Sequence, residues 1–174
     1  MKRISPVSKY RYALAVFSVL ILLIVFIYTA YSWEPVLIVE DKPLNDLIKA
    51  GIQLKVEQSR SEFQLALLTL GALWALIIAK KDEAKILLSD WPELVMFTCA
   101  NALLIASCWY HVYYVENITY VYSLAGGIKD ATSIPDVFSS GINNPYRFQW
   151  WTLIGGMGLS ALTLFSAHKL KRSM

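Results

Sequence analysis

Four long stretches of this chain contain no Asp, Glu, Lys or Arg: residues 12–33, 63–79, 94–115 and 148–167. They hold 81 of the 174 residues, so all 29 formal charges crowd into the other 93 positions. A charged side chain at the centre of a bilayer costs about 2.5–3.5 kcal/mol even on insertion scales, and that penalty empties such stretches of charge. A helix needs about 20 apolar residues to cross about 30 Å of hydrocarbon, and three of the stretches reach that length. The second has 17 residues and borrows Glu62 at one end and Lys80 and Lys81 at the other, whose stems can snorkel. With 56% hydrophobic and 17% charged residues, the composition excludes a disordered chain or a nucleic-acid-binding domain. The predicted fold class is an all-α membrane protein: one four-span domain over 1–174, with outer segments 34–62 and 116–147 and a cytoplasmic loop 80–93.

Four spans put both termini on one side, and the basic residues say which side. Segments 1–11, 80–93 and 168–174 carry 10 Lys or Arg in 32 residues, against 6 in the 61 residues of the outer segments. The positive-inside rule therefore places both termini in the cytoplasm. Acidic residues run the other way, leaving the inner face net +6 and the outer face net −3. The first span exceeds the 7–15 residues of a signal-peptide core, and a cut after Ala30 would put Tyr28 where a small residue is needed, so it is expected to stay as an anchor. A multi-pass membrane location follows, with lipid as a permanent partner.

Outside the spans, 35–39 reads as a short extended piece and 44–52 as two helical turns leading toward span two. The segment 116–147 reads as a loop, because Gly126-Gly127, Pro135, Gly141 and Asn143-Asn144-Pro145 are all turn signals.

Catalytic signals are scarce. No ionisable residue lies inside a charge-free stretch except His111, and His111 and His168 fall at opposite membrane edges, so they cannot share a metal ion in one subunit. Cys99 and Cys108 are nine residues apart, on opposite faces of span three, about 13 Å apart along its axis, which forbids pairing. Asn117-Ile118-Thr119 matches a glycosylation acceptor that means nothing in a bacterium, and Gly155-Gly156-Met157-Gly158 lacks the strand and Lys of a phosphate loop. No catalytic residue, metal or cofactor is expected.

The spans do carry small residues at four-residue spacing, which lets backbones approach where lipid offers no hydrophobic drive for association. Span two has Gly71, Ala75 and Ala79; span three Thr98, Ala102 and Ala106; span four Thr152, Gly156 and Ser160. Asn101, near the middle of span three, is expected to hydrogen-bond across helices. One small stripe per helix suits a compact bundle, so Asn101 and the stripes are read first as serving packing inside one subunit. Homo-oligomerisation is also expected, through span four, with Gly156 and Ser160 favoured over the Gly71 ladder, since Gly155 and Gly158 open more of its surface. On the inner face, Lys80, Lys81 and Lys85 with Lys169, Lys171 and Arg172 form a basic rim that topology requires and that also suits an acidic cytosolic partner.

Three functional classes remain: a sensor or anchor that recruits a cytosolic effector, a small oligomeric pore built on Thr98, Asn101 and Ser107, and an immunity protein that intercepts a pore-forming toxin. In length, four spans, inside termini and the tail Lys169-Leu170-Lys171-Arg172, the chain is similar to the larger colicin immunity proteins. Its layout resembles more closely the small membrane subunit of the bacterial Kiwa anti-phage system: one-domain size, four spans with both termini inside, an outer segment before span two and a basic inner rim. The resemblance covers the whole chain as a layout and carries over no individual residue. It implies a non-enzymatic, oligomeric sensor of phage attack, located in the bacterial inner membrane, that works with a soluble DNA-binding effector and does not itself bind nucleic acid.

Overall fold

In the computed structural model the described residues are 6–31, 38–40, 46–79, 90–127, 133–135 and 140–173. They form α1 (Pro6–Tyr31), β1 (Ile38–Glu40), α2 (Asp46–Ala79), α3 (Trp91–Gly127), β2 (Ser133–Pro135) and α4 (Ser140–Ser173). All four helices are long and apolar enough to cross a membrane. With no water in hydrocarbon to take up backbone groups, a helix that satisfies its own ladder is what such sequences must form.

The arrangement follows from where each helix buries its apolar face. In the first half of α3, Met96, Phe97, Cys99, Ala100, Leu103 and Leu104 are buried along one broad face, while Thr98, Ile105 and Trp109 on the other side are exposed. This helix packs along α4 as a central hairpin, with α1 and α2 flanking it and making no contact with each other among the described residues. One core layer joins Cys99, Ala100 and Leu103 to Leu159 of α4 and to Ile21, Leu22 and Val25 of α1. A second joins Phe97, Leu104 and Leu153 to Ala66 and Leu73 of α2.

The closest approach is at the glycines of α4. A Cβ built on Gly156 would lie 2.7 Å from Leu104 Cγ and 3.2 Å from the Leu104 backbone nitrogen, and one on Gly155 3.2 Å from Leu103 Cδ1. Gly156 and Ser160 are therefore buried between α4 and α3 of a single chain. They serve the packing inside one subunit that the small-residue stripes suggest, and the surface expected to lead an interface between subunits is occupied by the chain's own α3. The small stripe left facing outward is that of α2, where Gly71 and Ala75 are exposed and nothing lies within 4 Å of a Cβ on Gly71. Gly156→Ala is accordingly expected to lower the unfolding free energy in detergent by about 1–3 kcal/mol through overpacking. Gly71→Ala should raise it by up to about 1 kcal/mol through helix propensity. Equal effects of the two substitutions would contradict the packing described.

The largest departure from the sequence reading is at the end of the bundle opposite the termini. Within the segment 116–147, expected to be loop-like, residues 116–127 continue α3 and residues 140–147 begin α4. Likewise the two turns expected over 44–52 are the start of one unbroken helix from Asp46 to Ala79. The physical reason is a further apolar cluster, in which Ile52, Tyr114, Ile118 and Ile142 bury one another with Val56, Val115 and Tyr146 packed around them. Gly126-Gly127 does close α3, but Asn143-Asn144-Pro145 lies inside α4, which continues through Pro145 although proline cannot donate the bond to the carbonyl four residues back. β1 and β2 pair antiparallel, with Ile38 opposite Pro135, Val39 opposite Ile134 and Glu40 opposite Ser133, so the extended piece is part of a ribbon joining the two outer segments. Of the stretch 35–39, residues 35–37 lie outside the described residues.

Candidate functional site

Two polar nodes are built into the bundle, one at each end, and each fastens one peripheral helix to the central hairpin. At the end that carries the termini, Arg11 of α1 reaches the start of α3. Its Nε donates to Glu93 Oε1 at 2.7 Å, while Nη2 donates to Glu93 Oε2 and to Asp90 Oδ2. Ser166 of α4 donates to Glu93 Oε1 at 2.6 Å. Glu93 is fully buried, yet each of its oxygens has a donor, and its place in the first turn of α3 lets the helix dipole favour its charge. Only a guanidinium, with its planar fork of donors, can bridge two carboxylates in this way. The node thus joins α1, α3 and α4 through one buried charge.

At the opposite end, Ser59 of α2 meets His111 of α3 and Gln149 of α4. Gln149 Nε2 donates to the Ser59 carbonyl at 2.6 Å, which fixes the amide orientation, because a carbonyl can only accept. Gln149 Oε1 must then accept from Ser59 Oγ, at 2.5 Å. Having given its one proton away, Ser59 Oγ accepts from His111 Nδ1 at 2.7 Å, so the imidazole carries its proton on Nδ1. Ser107 donates to the Gln149 carbonyl at 3.0 Å, and Phe63 stacks on the His111 ring at 4.6 Å between centroids. A buried Ser beside a His invites a nucleophile reading, but here the histidine is the donor and the serine proton lies on an amide oxygen. That is the reverse of what activation requires. Farther out, Lys55 donates to Asn143 Oδ1 at 2.8 Å and lies 5.8 Å from the centre of the Tyr146 ring.

The residues singled out in the sequence fall into three groups. Asn101 is buried, accepts from the Trp74 indole at 3.1 Å and donates to the Phe97 carbonyl at 2.8 Å, tying α2 to α3. Ala102 and Ala106 are half-buried on α3, Gly156 and Ser160 are inside the α3–α4 contact, and Gly71 and Ala75 face outward; Ala79 closes α2. Lys80, Lys81 and Lys85 lie outside the described residues, and Lys169, Lys171 and Arg172 belong to the last turns of α4.

The polar residues proposed for a pore do not form one face. Thr98 is exposed and bonds back to the Leu94 carbonyl, Asn101 bonds Trp74, and Ser107 bonds Gln149. Cys99 and Cys108 are free thiols. Among the described residues no three His, Cys, Asp or Glu side chains come together as a metal site would need. Arg11 and Glu93, which in the sequence read as flanking charges, are the residues that sequence reasoning missed. The signal for Gln149 was present: an amide inside a charge-free stretch needs a partner just as Asn101 does.

The fold and its two nodes define an all-helical chain with four candidate membrane-spanning helices and hydrogen-bonded clamps at both ends. Comparison with protein-family models, with curated proteins and with solved structures gave no match to this chain.

Proposed function

We propose that this chain is a non-enzymatic, multi-pass sensor of the bacterial inner membrane, with both termini cytoplasmic, that passes an outer event to a cytosolic effector docked on its basic inner rim. The observation that carries the reading is helix length. α2, α3 and α4 run unbroken for 34, 37 and 34 residues. At 1.5 Å per residue these are rods of roughly 50–55 Å, against about 30 Å of hydrocarbon. The surplus is the outer cluster around Ile52, Tyr114, Ile118 and Ile142, so the helices packed in that cap are the ones that end beside the inner loop and tail. Force or ligand at the cap has a rigid path inward. The broad apolar surfaces of α1 and α2, including Phe26, Leu68 and Ile78, supply area for lipid and for further copies of the chain. An anti-phage role is the biological setting proposed, on the resemblance in layout to the Kiwa membrane subunit.

The test is phage challenge of cells carrying the chain together with its flanking genes, alongside co-purification of the soluble product encoded there. Wild type should lower plaque formation and retain the soluble protein. Changing Lys80, Lys81 and Lys85 together to Gln should abolish both, while Lys2 and Arg3 keep the first span oriented. Three surface ion pairs worth up to about 1 kcal/mol each correspond to roughly ten- to a hundredfold in affinity. Because anionic lipid attracts the same lysines, membrane levels are to be matched between variants. Unchanged plaque counts and no retained partner would overturn the reading, and protection against a pore-forming toxin in the same cells would replace it by the immunity class.

A further inference from the structure

Ser59, Glu62, Phe63 and Ala66 share the face of α2 that packs on the central hairpin, and Glu62 is the one ionisable group among them. It is only 8% exposed. Its Oε1 accepts from Gln58 Nε2 at 3.0 Å, one turn back on the same helix. Its Oε2 is buried and, among the described residues, has no hydrogen-bond partner. An ionised carboxylate shares its charge over both oxygens, and burying one of them without a donor costs several kcal/mol. Adding a proton at Oε2 removes that charge and leaves the Gln58 bond intact.

We infer that Glu62 is a proton-binding site: the packed bundle holds it as the neutral acid, and its ionisation loosens the outer end of α2 from α3 and α4. The sign follows from which form can be buried. Seating of α2 is firmest in acid and weakens as rising pH ionises Glu62, because the carboxylate must then reach water. The other charged or titratable groups around this junction are Lys55, Glu57 and Arg60 on α2, Cys108, His111, Tyr114 and Glu116 on α3, and Tyr146 and Arg147 on α4. Lys55 is engaged by Asn143 and the Tyr146 ring, and Glu57, Arg60, Glu116 and Arg147 are exposed. His111 donates through Nδ1 to Ser59 whether neutral or charged, so its titration leaves that clamp in place. This inference does not depend on what the inner rim recruits.

The experiment uses the full chain in lipid nanodiscs. Infrared spectra of wild type at neutral pH should contain the carbonyl stretch of a protonated carboxylic acid that Glu62→Gln lacks, and the band should vanish as pH rises. In parallel, spin labels at Leu54→Cys and Thr119→Cys, both exposed positions at the outer end, placed in a Cys99→Ala, Cys108→Ala background, report the α2–α3 separation. The wild-type distance distribution should be narrow in acid and widen with pH, while Glu62→Gln, which mimics the neutral acid, should stay narrow throughout. Widening of the Glu62→Gln distribution over the same range, or a wild-type spectrum without the acid band, overturns the proposal. Should Glu62→Gln fail to insert, isotope-labelled glutamate in wild type gives the same decision, since a band that does not shift on labelling is not a glutamic acid.

Discussion

Arg11→Met should destabilise the bundle by about 3–5 kcal/mol, the cost of removing one partner from a buried ion pair. The substitution leaves Glu93, which is fully buried, with only the Ser166 hydroxyl as a side-chain donor, and leaves Asp90 facing it as a second negative charge. The other ties of α1 lie farther along it, at Ile21, Leu22 and Val25, while Tyr10, Tyr12, Val16 and Phe17 near Arg11 are exposed. Its N-terminal end should therefore become sensitive to protease in detergent before the rest of the bundle unfolds. Arg11→Lys should fall between, since an ammonium cannot present Nε and Nη2 as a planar fork to two carboxylates. The double variant Arg11→Met, Glu93→Gln should recover most of the loss, as removing both members of a buried pair leaves no bare charge. Membrane insertion should be unaffected, with Lys2, Arg3 and Lys9 still in place. If Arg11→Met stays within about 1 kcal/mol of wild type, the value of a solvated surface pair, the node is not holding α1.

What could be read from the sequence and what could not divide along physical lines. The four spans are legible because excluding charge from hydrocarbon is a strong, local constraint that leaves a mark at every position of a stretch. The Arg11–Glu93 node is illegible for the same reason: each charge sits just beyond a charge-free stretch, where topology already accounts for it, and the two are 82 positions apart. Turn residues misled over 116–147, because the packing of Ile142 and Tyr146 into the cluster outweighs the local cost of Pro145 inside α4. Small-residue spacing identified the right chemistry at Gly156 without its partner. A stripe that admits a second backbone does not say whether that backbone is Leu104 of the same chain or a neighbouring subunit. Asn101, by contrast, was legible down to its behaviour, since an amide in a span has to find a group on another helix or on its own backbone, and it finds both.

The second large effect is expected at Gln149, and it reads out a proton position as well as a stability. Gln149→Leu strips the acceptor from the Ser59 hydroxyl and the donor from the Ser59 carbonyl. At about 1–3 kcal/mol for each buried group left unmatched, the loss comes to roughly 2–6 kcal/mol. Ser107 should be little disturbed, because it bonds the backbone of residue 149 and not its side chain. In wild type the direction of the chain, from His111 Nδ1–H to Ser59 Oγ–H to Gln149 Oε1, is dictated by the one contact that cannot be reversed, the amide on the Ser59 carbonyl. Nitrogen NMR of the imidazole should therefore report the Nδ1-protonated tautomer in wild type. With Gln149 gone, the nearest side-chain acceptor for the Ser59 proton is His111, and an oxygen that donates to Nδ1 forces the ring proton onto Nε2. Gln149→Leu should thus convert His111 to the other tautomer in the fraction of protein that stays folded. An Nε2-protonated ring already present in wild type would mean that Ser59 donates to the histidine from the start, and the clamp would then have to run in the opposite direction.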